Sequence, residues 1–355
     1  MQDSLFPFLS AFLITAITTP LCIPIIKKLG FVDDPKKHHH PALLHTKIIP
    51  RSGGIPLWIG IFLGGLFFLP VTKVTLALFI SSFLALVVGT LDDKYDLSRY
   101  LRFGVNILCA CIIVGSGVGI AFINNPFGHG VIHFDTLRLT FDFFGKHSLI
   151  VFSDLIAVVW IVWVMNMLNW SKGVDGQMPG IVAIAAIVIG LLGLRFSLTD
   201  PFTLTSVHLS FLIAGASVGF LLYNFSPAKI FPGYGATAIY LLLSVVSIMS
   251  GAKLATAFLV MGIPMIDGII TVLRRILSGK SPFWHDNKHL HHLLLRFGMT
   301  AREIALFYWI VSAILGAAAL LLTAREKAFA IVTLIALVGG ALVFLHFALS
   351  TNEDE

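Results

Sequence analysis

The chain has 355 residues, of which 57% are hydrophobic and only 12% are charged. Its mean hydropathy of +0.94 excludes an ordinary soluble domain, in which charged residues make up about a quarter of the chain. The formal net charge of +6 gains meaning only once the charges are assigned to the two sides of a membrane.

Long apolar runs recur along the whole chain and predict an all-α, polytopic membrane protein, because a helix satisfies its own backbone hydrogen bonds in lipid. About eleven runs approach the length that a membrane-spanning helix needs. They lie near 5–26, 54–70, 74–91, 103–123, 150–170, 179–195, 206–223, 235–250, 253–272, 303–323 and 329–349. Between the fourth and fifth runs, alternating apolar and polar residues in 124–149 predict a short hairpin or an interfacial segment.

The basic residues are distributed unevenly between the two sides of these predicted spans. The loops after spans 1, 3, 5, 7 and 9 hold 17 of the 24 Lys and Arg residues. Because cytoplasmic loops carry the excess of Lys and Arg, we expect these loops and the C-terminus in the cytoplasm and the N-terminus outside. The sequence therefore predicts a single transmembrane domain, 1–355, with cytoplasmic loops near 27–53, 92–102, 166–180, 224–234 and 273–302.

The first of these loops contains the run His38-His39-His40. Nothing near this run fixes a ligand geometry, so a solvated basic loop is favoured over a metal site.

The second loop begins with two adjacent carboxylates, Asp92 and Asp93, at the end of the third apolar run. Two anions at the negative end of a helix repel each other and the helix dipole, which indicates a positive partner. Lys94 and Arg99 are the ordinary candidates, and for an isolated acidic pair they are favoured. Mg²⁺ is the other candidate, because it usually binds through one or two carboxylates together with substrate phosphate.

The third loop follows two asparagines, Asn166 and Asn169, that lie three residues apart and therefore on one helical face. Taken alone, this pair suits an ordinary hydrogen bond between helices as well as it suits a ligand. Asp175, between Gly173 and Gly176, is placed on a flexible turn from which it can reach the same ion as the acidic pair.

The fifth loop is basic and contains His289, His291 and His292. These histidines are either an interfacial cluster without a ligand or donors to a diphosphate. All the clusters fall in loops assigned to one membrane face, whereas a transporter places ionisable residues within its spans. Asp267 is the main ionisable exception within the spans. Carboxylates for a metal, together with basic donors for phosphoryl oxygens, are the arrangement for phosphoryl transfer.

Five stretches then occur together in the order of a known family: PRSGGIP (50–56), LDDKYDLS (91–98), NMLNWSKGVDG (166–176), NFSPAKIF (224–231) and SPFWHDNKHLHHLLLRFG (281–298). They resemble the polyprenyl-phosphate N-acetylhexosamine-1-phosphate transferases, of glycosyltransferase family 4 type, over roughly residues 20–300. The histidines resemble the HxHH form of the branch that uses UDP-N-acetylglucosamine and undecaprenyl phosphate.

This resemblance implies transfer of a sugar 1-phosphate, N-acetylglucosamine or a related N-acetylhexosamine, from a UDP-sugar to polyprenyl phosphate. The products are UMP and a polyprenyl-diphospho-sugar for cell-envelope glycan synthesis. The implied cofactor is Mg²⁺, with Mn²⁺ as an alternative, and the implied location is the cytoplasmic face of the bacterial plasma membrane. The partners are the two substrates and membrane lipid; nucleic acid is not expected, and a homodimer is left open.

The resemblance also assigns roles to residues. The implied catalytic residues are Asp92, Asp93 and Asp96, the last of which ends a DDxxD pattern. The implied substrate-binding residues are Asn166, Asn169, Asp175, Lys229, Arg274, His289, His291 and His292. The implied metal ligands are Asp92, Asp93 and Asp175.

Two positions depart from the family pattern. Lys172 stands where the third motif usually has an aspartate, and Tyr234 stands where a metal-binding aspartate follows PAKIF. In one interpretation, Asp92, Asp93 and Asp175 still hold Mg²⁺ and Lys172 neutralises phosphate in an active transferase. The alternatives are a catalytically degenerate relative that binds lipid carrier or UDP-sugar, and, less favoured, a membrane transporter.

Overall fold

The computed structural model describes residues 2–33, 48–126, 128–142, 146–195, 201–250, 254–284 and 287–351. The histidine run at 38–40, and with it much of the predicted first cytoplasmic loop, lies outside the described residues.

The described chain is predominantly helical, as the apolar composition predicts. The helices are α1 Gln2–Lys28, α2 Gly54–Phe68, α3 Lys73–Tyr95, α4 Arg99–Gly115, α5 Val151–Trp170, α6 Gln177–Leu194, α7 Pro201–Asn224, α8 Thr237–Met249, α9 Leu254–Val260, α10 Gly262–Leu277, α11 Leu290–Arg296, α12 Ala301–Leu321 and α13 Ala324–Thr351. A 3-10 turn, Tyr234–Ala236, leads into α8.

Among the described helices, seven are long and apolar enough to cross a membrane: α1, α3, α5, α6, α7, α12 and α13. The pair α9 and α10 bends by 88° at its junction and makes an eighth span if the two are counted together. The other predicted spans correspond to α2, α4 and α8, whose 15, 17 and 13 residues are short of the usual spanning length. The helices are those of a polytopic membrane protein, whereas the count of eleven spans and their orientation stay predictions.

Three antiparallel strand pairs complete the described structure: β1 Val32–Asp33 with β2 Ile49–Pro50, β3 Phe122–Asn124 with β4 Val131–His133, and β5 Arg138–Asp142 with β6 Lys146–Ile150. The hairpin predicted within 124–149 is therefore confirmed. The fourth predicted span was placed too far along the chain, because α4 ends at Gly115 and the backbone enters β3 by Phe122.

The core centres on α8, in which every residue from Thr237 to Met249 is buried. This helix packs against α3, α5 and α7, so its neighbours shield a short apolar element that could not span a membrane alone. The outer helices expose large apolar side chains, including Phe6 at 60%, Ile17 at 61% and Phe344 at 64%. Exposed apolar faces of this kind suit contact with lipid rather than water.

Backbone hydrogen bonds hold loops that are distant in sequence against one another. The residues before α2 run beside those before α8, because Phe231 N–H donates to Pro50 O at 2.8 Å and Gly53 N–H donates to Phe231 O at 2.9 Å. Asn224 joins two further loops, since its Oδ1 accepts from Gly176 N–H at 3.0 Å and its Nδ2 donates to Ile230 O at 2.8 Å. These contacts bring the polar motifs to one end of the helices.

Candidate active site

An open cavity of about 1630 Å³ lies where the five motif loops meet. Ten of the eleven predicted site residues line it: Asp92, Asp93, Asp96, Asn166, Asn169, Asp175, Lys229, His289, His291 and His292. Lys172 and Tyr234, at the two positions that depart from the family pattern, line it as well.

The acidic pair lies in the last turn of α3, which continues beyond the apolar run. Asp96 ends the helix in a left-handed conformation with φ of 47°, and its N–H donates to Asp92 O at 2.9 Å. The extra turn places the side chains of Asp92 and Asp93 inside the protein, where they are 2% and 0% exposed. Buried carboxylates need donors, because an unpaired buried charge is strongly unfavourable.

The donors to Asp92 come from α4 and from the turn before it. Arg102 Nη1 donates to Asp92 Oδ1 at 3.1 Å and to Oδ2 at 3.0 Å. Leu97 N–H also donates to Oδ1, at 2.9 Å. The sequence correctly indicated a positive partner but favoured Lys94 and Arg99. Lys94 instead lies over aromatic rings, and Arg99 donates to Phe283 O at 3.3 Å.

The donors to Asp93 come from two other loops. Arg51 Nε lies 3.3 Å from Asp93 Oδ1, Ser52 Oγ donates to Oδ2 at 3.1 Å, and Tyr234 N–H donates to Oδ1 at 2.7 Å. Gly233 permits this approach, because its φ is +67° and a Cβ there would collide with the Asp93 carboxylate. Asp93 thus ties together the loops before α2 and α8.

Lys172 lies beside this pair. Its ammonium donates to Gly233 O at 2.9 Å and lies 5.5 Å from the centre of the Tyr234 ring. Burial, with a smaller contribution from nearby Arg51, lowers the pKa of Lys172 to about 7, although Asp93 and Asp92 act in the opposite direction. Arg102 lies on Tyr234 too, 5.1 Å from the ring centre. Both cations are within the range of a cation–π interaction.

Asp175 is directed towards the fourth loop. Its Oδ2 accepts a hydrogen bond from Ala228 N–H at 3.0 Å, so the carboxylate orders the segment that follows the NFSP motif. The asparagine behind it, Asn224, holds the adjacent turn by accepting from Gly176 N–H.

The three predicted metal ligands do not suit Mg²⁺ in this arrangement. Mg²⁺ needs oxygen lone pairs directed at one point in near-octahedral geometry. Both oxygens of Asp92 and of Asp93 already accept hydrogen bonds, and the nearest charged groups are Arg51, Arg102 and Lys172. Within the described ranges, no group of three or more His, Cys, Asp or Glu residues is placed to hold a metal ion.

The histidines line another part of the cavity, the histidine wall. With Nδ1 protonated, His289 donates to Asp267 Oδ2 at 2.8 Å, and Leu290 N–H donates to Asp267 Oδ1 at 3.2 Å. His289 and His291 stack with ring centres 5.7 Å apart, and His292 lies 4.2 Å from His291. Burial and these two neighbours lower the pKa of His291 well below its ordinary value. His291 packs on Gly173, where any Cβ would collide with the imidazole.

Two residues that line the cavity carry a buried polar atom available to a ligand. His291 Nδ1 and Asn169 Oδ1 are buried and have no hydrogen-bond partner within the described part of the chain. Buried polar atoms are nearly always satisfied, so a substrate group or water is expected there. Asn166 differs, because its Nδ2 donates back along the helix to Val162 O at 2.7 Å. Lys229 is exposed at the rim.

Arg274 is the one predicted site residue that does not line the cavity. It donates to Lys288 O at 3.4 Å, whereas its neighbour Arg275 is buried and lines the cavity. Consecutive residues point about 100° apart on a helix, so only one member of the pair can face inward. Arg275 donates to Pro282 O at 2.6 Å and lies 5.3 Å from the Trp170 ring centre.

Besides Arg275, four important side chains were not assigned from the sequence: Arg51, Ser52, Arg102 and Asp267. Arg51 and Ser52 belong to the motif PRSGGIP, which could have marked them. Asp267 was recognised as the main ionisable residue inside a span, a feature that usually signals function. Arg102 gave no comparable signal, because its partner Asp92 is identified only once α4 packs against α3.

Comparison with known proteins agrees with this geometry. Residues 75–251 match the family model described as glycosyl transferase family 4. The chain is 29% identical over 337 residues to a probable undecaprenyl-phosphate N-acetylglucosaminyl 1-phosphate transferase of Bacillus subtilis, covering 91% of this chain and 87% of that protein.

Two further relatives carry similar names. A decaprenyl-phosphate N-acetylglucosaminephosphotransferase of Mycobacterium tuberculosis is 29% identical over 345 residues, covering 87% of this chain and 80% of that protein. An undecaprenyl-phosphate alpha-N-acetylglucosaminyl 1-phosphate transferase of Escherichia coli is 28% identical over 321 residues, covering 86% and 80%. The matched family region contains the acidic pair, Lys172 and Tyr234, and the alignments to full-length relatives cover most of the chain. The chain belongs to glycosyl transferase family 4.

Proposed function

We propose that the protein transfers N-acetylglucosamine 1-phosphate, or a related N-acetylhexosamine 1-phosphate, from a UDP-sugar to polyprenyl phosphate. An oxygen of the lipid phosphate attacks the phosphorus that bears the sugar. The bond from this phosphorus to the bridging oxygen breaks, and UMP leaves with that oxygen. The products are polyprenyl-diphospho-sugar and UMP, and no net proton change is needed when the lipid phosphate begins as a dianion.

The convergence of five distant loops on one cavity is the observation that carries this proposal. The cavity brings the acidic pair of α3, the lysine and asparagines of the α5–α6 region and the histidines at the start of α11 to one place. Transfer between two phosphate-bearing substrates needs little covalent chemistry from the protein. It needs the two substrates aligned and their negative charge stabilised.

Three cations supply that stabilisation. Arg51, Arg102 and Lys172 all line the cavity, and Asp92 and Asp93 hold the two arginines in place. The two aspartates therefore act as positioning residues, whereas the cations face the phosphates. A lipid phosphate is largely ionised near neutral pH, because its second pKa is about 6, so a strong general base is not required.

The histidine wall is suited to the UDP-sugar. Neutral His291 and Asn169 each present a buried polar atom without a partner among the described residues. His289, oriented by Asp267, presents its Nε2 as a further polar group. Arg275 adds a cation to the same wall. Groups that are unsatisfied in the free protein gain most when a ligand with phosphate and sugar oxygens binds.

The proposed location is the cytoplasmic face of a bacterial plasma membrane. It rests on the Lys and Arg bias of the motif loops, which hold 17 of the 24 basic residues. UDP-sugars are cytoplasmic metabolites, so a site on this face has direct access to them. Assembly as a homodimer stays a prediction. So does the Mg²⁺ dependence that the resemblance implies, which the pairing of Asp92 and Asp93 with arginines does not favour.

The test is UMP release by purified full-length protein with UDP-N-acetylglucosamine and undecaprenyl phosphate. We expect UMP and lipid-linked sugar in equal amounts, and no UMP when either substrate is omitted. A panel of UDP-N-acetylhexosamines then identifies the preferred sugar. Binding of UDP-sugars with no UMP release from any of them contradicts the proposal.

A further inference from the structure

The two departures from the family pattern form one structural unit. Lys172 donates to Gly233 O at 2.9 Å, and its ammonium lies over the ring of the next residue, Tyr234. The two positions are 62 residues apart in the chain and yet in contact. Lys172 and Tyr234 thus replace two carboxylates of the family pattern with a cation and an aromatic ring that contact each other.

Tyr234 holds cations without neutralising them. Arg102 lies 5.1 Å and Lys172 5.5 Å from the centre of its ring, and its hydroxyl accepts a hydrogen bond from Asn106 at 3.3 Å. A carboxylate at this position would cancel one positive charge. The aromatic face instead fixes the direction of both cations and leaves their full charge available to a ligand.

Cations outnumber carboxylates at this end of the cavity. Arg102 is paired with Asp92, and Arg51 is paired with Asp93. Lys172 is the third cation and interacts with both pairs. A dication placed on the two carboxylates would displace both arginines and meet the ammonium at close range, which is electrostatically unfavourable. An anion placed there gains all three cations.

We propose that Lys172, together with Arg51 and Arg102, takes the place of a divalent cation and binds the diphosphate of the UDP-sugar directly, so that substrate binding and transfer need no metal. This inference rests on the proposed function for the identity of its ligand. Guanidinium and ammonium groups are effective phosphate ligands, and a diphosphate presents enough oxygens for all three.

The first experiment measures the affinity of purified full-length protein for UDP-N-acetylglucosamine by calorimetry, once in excess EDTA and once in Mg²⁺. UMP release with undecaprenyl phosphate is followed under the same two conditions. We expect dissociation constants that agree within about threefold, and turnover in both. A loss of binding and turnover in EDTA that Mg²⁺ or Mn²⁺ restores would overturn the inference and leave the transferase proposal intact.

Variants make the test specific to the lysine. Lys172→Met removes the third cation and is expected to weaken binding about tenfold or more, in EDTA and in Mg²⁺ alike. Lys73→Met is the matched control, because Lys73 is exposed at the opposite end of α3 from the acidic pair, and it should change neither value. Equal effects of the two variants would contradict the inference.

The double variant Lys172→Asp/Tyr234→Asp returns carboxylates to both positions. We expect its binding of UDP-N-acetylglucosamine to become dependent on Mg²⁺, with affinity in EDTA at least about tenfold lower than in Mg²⁺. This ratio is measured within one preparation, so a general loss of stability does not create it. A double variant with no response to Mg²⁺ contradicts the exchange of lysine for metal.

The outcomes separate the two proposals. Binding in EDTA with no UMP release in EDTA or in Mg²⁺ supports the cation site and contradicts the transferase. Binding in EDTA with UMP release only in Mg²⁺ supports the transferase and overturns metal-free transfer. Binding and turnover only with Mg²⁺ support the transferase and overturn the cation site. No binding of any UDP-N-acetylhexosamine under either condition overturns both.

Discussion

The two walls of the cavity differ in the charged and polar groups that they present to a ligand. On the α3 wall, two carboxylates are matched by two arginines, and a lysine stands in surplus. On the histidine wall, the buried carboxylate of Asp267 orients the imidazole of His289. The buried Nδ1 of His291 has no hydrogen-bond partner among the described residues. The first wall departs from the family pattern, whereas the second retains it.

The difference shows that a conserved-looking motif does not fix the electrostatics around it. LDDKYDLS is intact in this chain, yet Asp92 and Asp93 face guanidinium groups with both of their oxygens occupied. The change that reverses the local charge balance lies in two other loops, at Lys172 and Tyr234. The net charge of a site is a property of all the loops that form it.

The largest effect is expected from Asp93→Asn. The amide keeps the shape of the side chain but cannot neutralise Arg51. The carboxylate accepts hydrogen bonds from Ser52 Oγ and Tyr234 N–H, and the NH₂ group of the amide would face one of these donors. We expect kcat/KM for UMP release to fall on the order of 100-fold. The measurement is steady-state UMP release, with thermal unfolding followed by tryptophan fluorescence to verify folding. A well-folded variant that keeps more than a third of the activity would show that Asp93 has no positioning role.

A smaller effect is expected on the histidine wall from Asp267→Asn. The amide no longer requires a proton on Nδ1 of His289, so the imidazole loses its fixed tautomer and orientation. We expect the dissociation constant for UDP-N-acetylglucosamine to rise about tenfold.

Thr271→Val is the matched control for this change, because Thr271 Oγ1 approaches the same imidazole nitrogen at only 3.5 Å. This variant should alter binding less than about twofold, since a contact of that length contributes little. If both variants weaken binding equally, the effect comes from packing around His289 rather than from the Asp267 carboxylate.

How much of this site the sequence could predict differs between the walls. The sequence predicted that the third and fifth loops and the acidic pair lie together, and the structure brings them to one cavity, because motifs of polar residues outside apolar runs are visible without a structure. The charged partner of Asp92 was not predictable, because the sequence does not show that α4 packs against α3 and brings Arg102 to this carboxylate. Arg274 was chosen over Arg275 because the sequence does not reveal the rotation of α10 about its axis.

The fold shows the same division. Apolar runs predicted the position of every long helix, because hydropathy determines which segments enter lipid or the core. They did not reveal that α8 is a buried 13-residue element or that α9 and α10 meet at 88°, since both depend on packing. Hydropathy alone treats a buried helix and a membrane span alike.

The pH dependence of binding provides a third way to compare the walls. Lys172 has a pKa of about 7, so it is charged below pH 7 and binding of an anion above pH 7 must take up a proton. The diphosphate of a UDP-sugar does not titrate in this range, and the lowered pKa of His291 keeps that residue neutral. We expect the dissociation constant for UDP-N-acetylglucosamine to rise about tenfold between pH 6.5 and 8.5.

Lys172→Arg is the control for this slope, because arginine stays protonated throughout the range while the other titratable groups are unchanged. Its affinity should be nearly independent of pH from neutrality upward. A slope that persists in Lys172→Arg would assign the titration to another group, such as Asp93, whose pKa burial raises to about 6.

The smallest effect is expected from the arginine pair of α10, which tests whether the inward face of this helix belongs to the histidine wall. Arg275→Met removes a buried cation that lines the cavity, whereas Arg274→Met removes one that does not. We expect KM for the UDP-sugar to rise about three- to fivefold in the first and less than twofold in the second. Steady-state kinetics at saturating undecaprenyl phosphate measures both.

Arg275 also donates to Pro282 O and lies against the Trp170 ring, so Arg275→Lys helps to separate charge from packing. Recovery of KM by lysine indicates that charge at this position matters. A larger effect at Arg274 would mean that α10 presents its other face to the substrate.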